Sequence, residues 1–238
     1  MECADTSLVP NRLQFTVDPS CIAAARVKAK GGERFTKAIA SLLAEAYHGN
    51  GDVITNMERL ILSKHLMWKV YVDVLILLYG GNIVDAIFIA VKSALLETRI
   101  TELRLLTQKV GRHIFECEES TETNFFRLEV AKAPLSITVS QIGKAFGVDC
   151  SEVEEPLSCG SLWIVIDPPE NDSVPDDQVR LRVVKNMDPG GIELRSISSM
   201  IELAIRVGRK LHTEVDARLQ EIFHNGNSQI RGLSFRVE

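Results

Sequence analysis

The spacing of apolar and polar positions changes several times along the chain, and each change marks an element. Leu13, Phe15 and Val17 alternate with polar residues, which predicts a short strand over 12–18, closed by Pro19. Phe35, Ala38, Ile39, Leu42, Leu43 and Ala46 then fall at helical spacing and predict a helix over 33–47. His48-Gly49-Asn50-Gly51 stops it. From Met67 the pattern alternates again, with Trp68, Val70, Val72 and Val74 on one face and Lys69, Tyr71 and Asp73 on the other. The run is then wholly apolar through Leu78, as expected of a strand buried on both faces. Gly80-Gly81-Asn82 makes a turn. Ile83, Ala86, Ile87, Ala90, Val91, Ala94 and Leu95 form the stripe of a second helix, which Val84, Phe88 and Leu96 widen. The small alanines of that stripe predict close approach to a sheet.

The second half changes character. Strand candidates cluster at 124–130, 134–140, 161–166 and 179–184, and a loop rich in Pro, Asp and Asn separates the last two. Asp188-Pro189-Gly190-Gly191 is a turn. One long helix follows, with Ile197, Met200, Ile201, Ala204, Ile205, Gly208, Leu211 and Val215 on its apolar stripe. Gly208 weakens a helix by about 1 kcal/mol relative to Ala, so close packing is its expected use. Strands and helices mix first, then strands cluster, then a helix closes the pattern. That predicts an α+β fold with sheets covered on one face by helices.

The 238 residues suit one large domain or two tightly joined halves. Apolar residues make up 45% and charged residues 25%, which excludes a disordered tail protein and a collagen-like one. A net charge of −5 argues against a stand-alone nucleic-acid binder, because phosphate contacts need clustered Lys and Arg. The five cysteines are odd in number and scattered, with no CxxC pair, so a reducing compartment is expected. No leader pattern opens the sequence and no apolar run reaches membrane-spanning length, so a soluble intracellular protein is expected.

Candidate chemistry is sparse. Gly80-Gly81-Asn82 lies between a strand and a helix, where backbone N–H groups can hold an anion, although a plain tight turn explains it as well. His48, His65, His113, His212 and His224 lack metal-ligand spacing, so no metal or other cofactor is expected. Gly160-Ser161 lacks the frame of a nucleophile elbow. Glu118-Glu119, Glu154-Glu155 and Asp176-Asp177 read as solvated loop acids. Asp73 stands apart because its strand is apolar after it, and Asp85 follows on the adjoining helix. Asp73 is either a buried polar contact or the remnant of a site.

The stretch 71–100, YVDVLILLYGGNIVDAIFIAVKSALLETRI, resembles the RNase PH superfamily, and more narrowly the ring subunits of the eukaryotic RNA exosome. The helix from Ser196-Ile197 to His212 is similar to that family's C-terminal helix, and 134–166 to its strand–charged loop–strand region. The resemblance implies an α+β, ribosomal protein S5 domain 2-like fold with mixed sheets and helices packed on one face. It divides the chain into a partial N-terminal domain over 1–110, a C-terminal domain over 111–224 and a tail over 225–238. Relatives carry several strands and an Asp-Gly-Arg segment before the strand matching 12–18, so the domain is expected to be N-terminally incomplete, with exposed apolar faces and an unpaired edge.

Active members of the family are phosphate-dependent 3′→5′ exoribonucleases. They place an aspartate just before the glycine of the strand-to-helix turn and an arginine soon after it. Matched through Asp73 and Asp85, the aspartate position falls on Gly80, or on Tyr79 after a one-residue slip, and the arginine position on Val84. Neither replacement of the aspartate offers a carboxylate, and Val84 cannot bind phosphate. Asp73, Gly80 and Val84 are then degenerate former active-site positions. The resemblance implies a non-catalytic ring subunit that scaffolds RNA processing, including rRNA maturation, in the nucleus, nucleolus and cytoplasm. Its partners are paralogous subunits of a six-membered ring, cap subunits, and RNA in the assembled channel, with no membrane. Lys64, Arg99 and Arg104, at element ends, are the candidate contacts to the RNA path. The alternatives are an active exoribonuclease using Asp73 or Asp85 as a replacement acid, and a free-standing interaction module with the same fold.

Overall fold

A computed structural model describes residues 12–48, 53–63, 66–102, 104–107, 113–116, 125–169, 179–186 and 190–229. In chain order the strands and helices are β1 (Leu13–Pro19), α1 (Ala24–Ala29), α2 (Glu33–His48), β2 (Ile61–Ser63), β3 (Leu66–Met67), β4 (Val70–Ile76), α3 (Ile83–Glu97), β5 (Arg99–Thr101), β6 (Arg104–Thr107), β7 (His113–Glu116), β8 (Phe125–Arg127), β9 (Leu135–Ile142), β10 (Ala145–Val148), β11 (Gly160–Ile166), β12 (Leu181–Asn186) and α4 (Leu194–Gln229).

β1 and β4 form a parallel ribbon, in register from Leu13 opposite Val70 to Pro19 opposite Ile76. Parallel strands need a crossover, and the helices between them supply it. Leu13, Phe15 and Val17 point under α2 and are buried with Ile39, Leu42, Leu43, Ala46 and Tyr47. The other face of the ribbon is exposed at Tyr71 and Leu75. Leu75, Leu77 and Leu78 are 59, 68 and 71% exposed, so the apolar end of this strand is not buried on both faces. The alternation holds as far as Ile76, which is inward, and breaks at Leu77 and Leu78, and a run of leucines could not reveal that only one face has a cover.

The alanines of α3 also depart from expectation. Ala86, Ala90 and Ala94 are exposed, while Val84, Asp85, Ile87, Phe88, Val91, Lys92 and Leu95 are buried. The buried face is therefore rotated toward the larger residues, and two charged groups go in with them.

In the second half, antiparallel strands run in the order β10-β9-β11-β12. The overall class is α+β, as the pattern predicts. The β1–β4 ribbon carries its helices on one face, whereas this sheet has helices on both. Leu162, Ile164 and Ile166 face α4 and pack with Met200, Ala204 and Ile205. Trp163, Val165 and Val183 face the other way and join the core that contains α2 and α3. At Gly208 α4 crosses the sheet closely: a Cβ there would lie 2.8 Å from Ile166 Cδ1. The helix continues to Gln229, so part of the expected tail is helical.

Among the described residues the remaining strands form two-stranded pairs, β2–β3, β5–β8 and β6–β7. Asn56, largely buried, behaves like one more strand residue. Its Nδ2 donates to Arg127 O at 2.8 Å and its Oδ1 accepts from Glu129 N at 3.0 Å.

Candidate functional site

The turn between β4 and α3 is built for a close backbone approach. Gly81 has φ 104° and Asn82 φ 44°, both in the left-handed region. A Cβ on Gly81 would lie 2.5 Å from Cys150 O and 2.6 Å from Glu152 N, so only glycine fits. Gly81 forms a bridge with Ser151, and Glu152 N donates to Gly80 O at 3.0 Å. The segment following β10 is thereby stitched across the head of α3.

That segment brings in a carboxylate. Glu155 opens a 3₁₀ turn, Glu155–Leu157, which Pro156 stiffens. Its Oε1 accepts the Asn82 backbone N–H at 2.9 Å, and its Oε2 accepts the Tyr79 hydroxyl at 2.9 Å. Lys30 Nζ, at the end of α1, lies 2.7 Å from Oε2. Around this group a cavity of about 460 Å³ opens. Tyr79, Asn82, Ile83 and Val84 line it from the turn, Lys30, Arg34 and Phe35 from the first helices, and Thr138, Ser140, Ser161, Trp163 and Asn186 from the sheet. Ser140 Oγ and Ser161 Oγ share a hydrogen bond at 2.9 Å. Phe35 and Trp163 meet edge to face, with ring centroids 6.0 Å apart.

Beneath the turn lies a second carboxylate. Asp85 Oδ2 accepts the Thr138 backbone N–H at 2.8 Å and Oδ1 the Thr138 hydroxyl at 2.9 Å. Burial pushes Asp85 up to about 6, against the hydrogen bonds from Thr138 that favour its charge. The residue ties α3 to β9 and does not line the cavity.

The expected site residues separate. Val84 lines the cavity and Gly80 lies in the turn beside it, and neither carries an acid or a base. Tyr79, the slipped alternative, is buried and bonded to Glu155. Asp73 is elsewhere. It is exposed on the open face of the ribbon, where the Thr16 hydroxyl donates to it, so it is neither a buried contact nor part of this cavity. Arg99 is exposed on β5 with its guanidinium 4.9 Å from the Phe125 ring centroid. Arg104 stands opposite Glu116 in the β6–β7 pair. Lys64 lies outside the described residues. Arg99 does not line the cavity.

Sequence reasoning passes over Glu155, because paired acids in a polar stretch read as solvated. That reading suits Glu154, which is exposed and caps Ser151 at 2.9 Å, but not its neighbour. Among the described residues no group of three His, Cys, Asp or Glu could hold a metal, and no helix is long and apolar enough to cross a membrane.

No protein-family profile matches the chain. Solved structures do: an archaeal exosome core at TM-score 0.64, covering 90% of this chain and 73% of that one at 18% identity. The Archaeoglobus fulgidus exosome with RNA bound to the active site matches at TM-score 0.66, covering 89% and 74%, also at 18% identity. The chain has the fold of these exosome-core chains. In sequence it is similar to the putative exosome complex exonuclease RRP42 of Dictyostelium discoideum, 28% identical over 72% of this chain and 51% of that protein. The exosome complex component Rrp42 of Pyrococcus abyssi is 27% identical over 66% of this chain and 52% of its own length. The chain thus spans about half the length of the curated relatives it matches.

Proposed function

We propose that this RNase PH-like chain is a non-catalytic subunit of an RNA exosome ring. In this reading it packs edge to edge with paralogous subunits in a six-membered ring, supports cap subunits and helps to enclose the channel through which RNA passes. It serves RNA processing and decay, including rRNA maturation, in the nucleus, nucleolus and cytoplasm. The similarity to Rrp42 components supports the placement.

One observation carries the non-catalytic part. Asp85 and Glu155 at the strand-to-helix turn are committed to holding structure, Asp85 to Thr138 and Glu155 to Tyr79, Asn82 and Lys30. Phosphorolysis needs an acid free to move a proton and a cation to hold phosphate. Gly80 and Val84 supply neither.

The test uses the full chain with an RNase PH-like paralogue at micromolar concentration, and RNA with phosphate. A stable complex and no nucleoside diphosphate are expected from this chain alone. Absence of a complex overturns the ring assignment. Nucleoside diphosphate release that Asp85→Asn abolishes overturns the non-catalytic one.

A further inference from the structure

We propose that Glu155 is a built-in anion: its carboxylate fills the seat at the head of α3, closes it to inorganic phosphate and pins the 151–157 segment to the turn. Three donors of separate origin converge on this one group. They are the Lys30 ammonium at 2.7 Å, the Tyr79 hydroxyl at 2.9 Å and the Asn82 backbone N–H at 2.9 Å. A cation, a hydroxyl and a helix-terminal amide are the donors a phosphate would use. Tyr79 itself is buried, 5% exposed.

The placement is imposed by backbone and is not the chance reach of a long side chain. The Gly81–Ser151 bridge and the Glu152 N to Gly80 O bond fix the segment, and Pro156 holds the 3₁₀ turn that aims Glu155. The nearby acids are engaged elsewhere. Glu154 caps Ser151, Glu152 pairs with Arg26, and Asp149 accepts from Asn82 Nδ2 at 3.0 Å. A phosphate entering the seat would meet the Glu155 carboxylate at hydrogen-bond distance, with like charge opposing it. The inference rests on this geometry alone, so failure to join a ring leaves it untouched.

The test is anion rescue of Glu155→Ala in the full chain. Thermal unfolding is followed in chloride buffer, then with phosphate or acetate at matched ionic strength, and phosphate binding is measured by phosphorus NMR. The wild type should respond to phosphate no more than to chloride. Glu155→Ala should lose thermal stability and regain it saturably with phosphate or acetate, binding phosphate about tenfold or more tightly than the wild type. Glu154→Ala should gain no phosphate binding. If Glu155→Ala does not fold in chloride, return of its near-ultraviolet circular dichroism with phosphate or acetate supports the proposal, and no return overturns it. Equal phosphate binding by wild type and variant, or a folded variant indifferent to both anions, also overturns it.

Discussion

Asp85 on α3 accepts both the backbone N–H and the hydroxyl of Thr138 on β9, at 2.8 and 2.9 Å. The pair joins the first half of the chain to the second through a buried acid. Burial lifts this acid from an ordinary 3.8 to about 6, so the native state holds its proton at pH values where the unfolded chain has released it. The stability it contributes is present below pH 4 and lost as pH rises through 6, by about 3 kcal/mol. Asp85→Asn removes that titration. Urea unfolding at a series of pH values should show the cost of the variant shrinking between pH 4 and 7; a constant cost would contradict the raised acid.

His212 on α4 should tilt stability the opposite way in the same window. Its Nε2 faces Ile166 O at 3.1 Å and the ring is buried. Burial first, then the Lys92 charge, pull it from 6.5 down to about 4, against the Ile166 carbonyl and Asp216, which favour the charged ring. The unfolded chain binds the proton first, so this contribution is complete above pH 6.5 and falls by about 3 kcal/mol toward pH 4. The two slopes offset each other in the wild type. His212→Gln should leave a chain that loses stability as pH rises from 4 to 6, and Asp85→Asn one that gains it. Matching profiles for the two variants would refute this opposition.

Much of this fold is legible from periodicity, and the limits have physical causes. The strand at Leu13, Phe15 and Val17 and the helix from Glu33 emerge because one face of each is buried against one neighbour. The leucines after Val74 mislead because apolar character shows what could be buried, not what has a cover. β5 and β8 are three residues each and owe their pairing to each other, from Arg99 opposite Arg127 to Thr101 opposite Phe125, so neither has a pattern long enough to read. At the site, Gly80-Gly81-Asn82 announces a strand-to-helix turn. Its occupant, Glu155, is 73 residues from Asn82, and local spacing carries no trace of such a contact. Only the stiff Glu-Pro step distinguishes Glu155 from the other acids of its loop.

Lys92 is buried on α3 with its Nζ 2.6 Å from Asp216 Oδ1 on α4, while Asp216 keeps contact with water. That asymmetry predicts unequal costs. Asp216→Ala strands an ammonium in the core and should cost about 3 kcal/mol. Lys92→Met keeps the buried stem, removes the charge and leaves Asp216 solvated, so it should cost under about 1 kcal/mol. Urea midpoints of the two variants decide, and a costlier Lys92→Met would show that the ion pair itself stabilises the helix contact.

Gly208 lets α4 lie against the sheet, and its substitutions should separate backbone preference from packing. In Gly208→Ala the new Cβ falls 2.8 Å from Ile166 Cδ1 and 3.4 Å from Ile137 Cγ1. The first atom is the end of a side chain that can turn aside, and alanine gains about 1 kcal/mol of helix preference, so the net change should be small. Gly208→Val adds two methyl groups with a restricted χ1 in a place already filled by Ile166, which is fully buried, and should cost about 2–3 kcal/mol. Thermal unfolding of both variants checks this. If valine is tolerated as well as alanine, α4 can move away from β9 and β11, and the glycine does not set its distance.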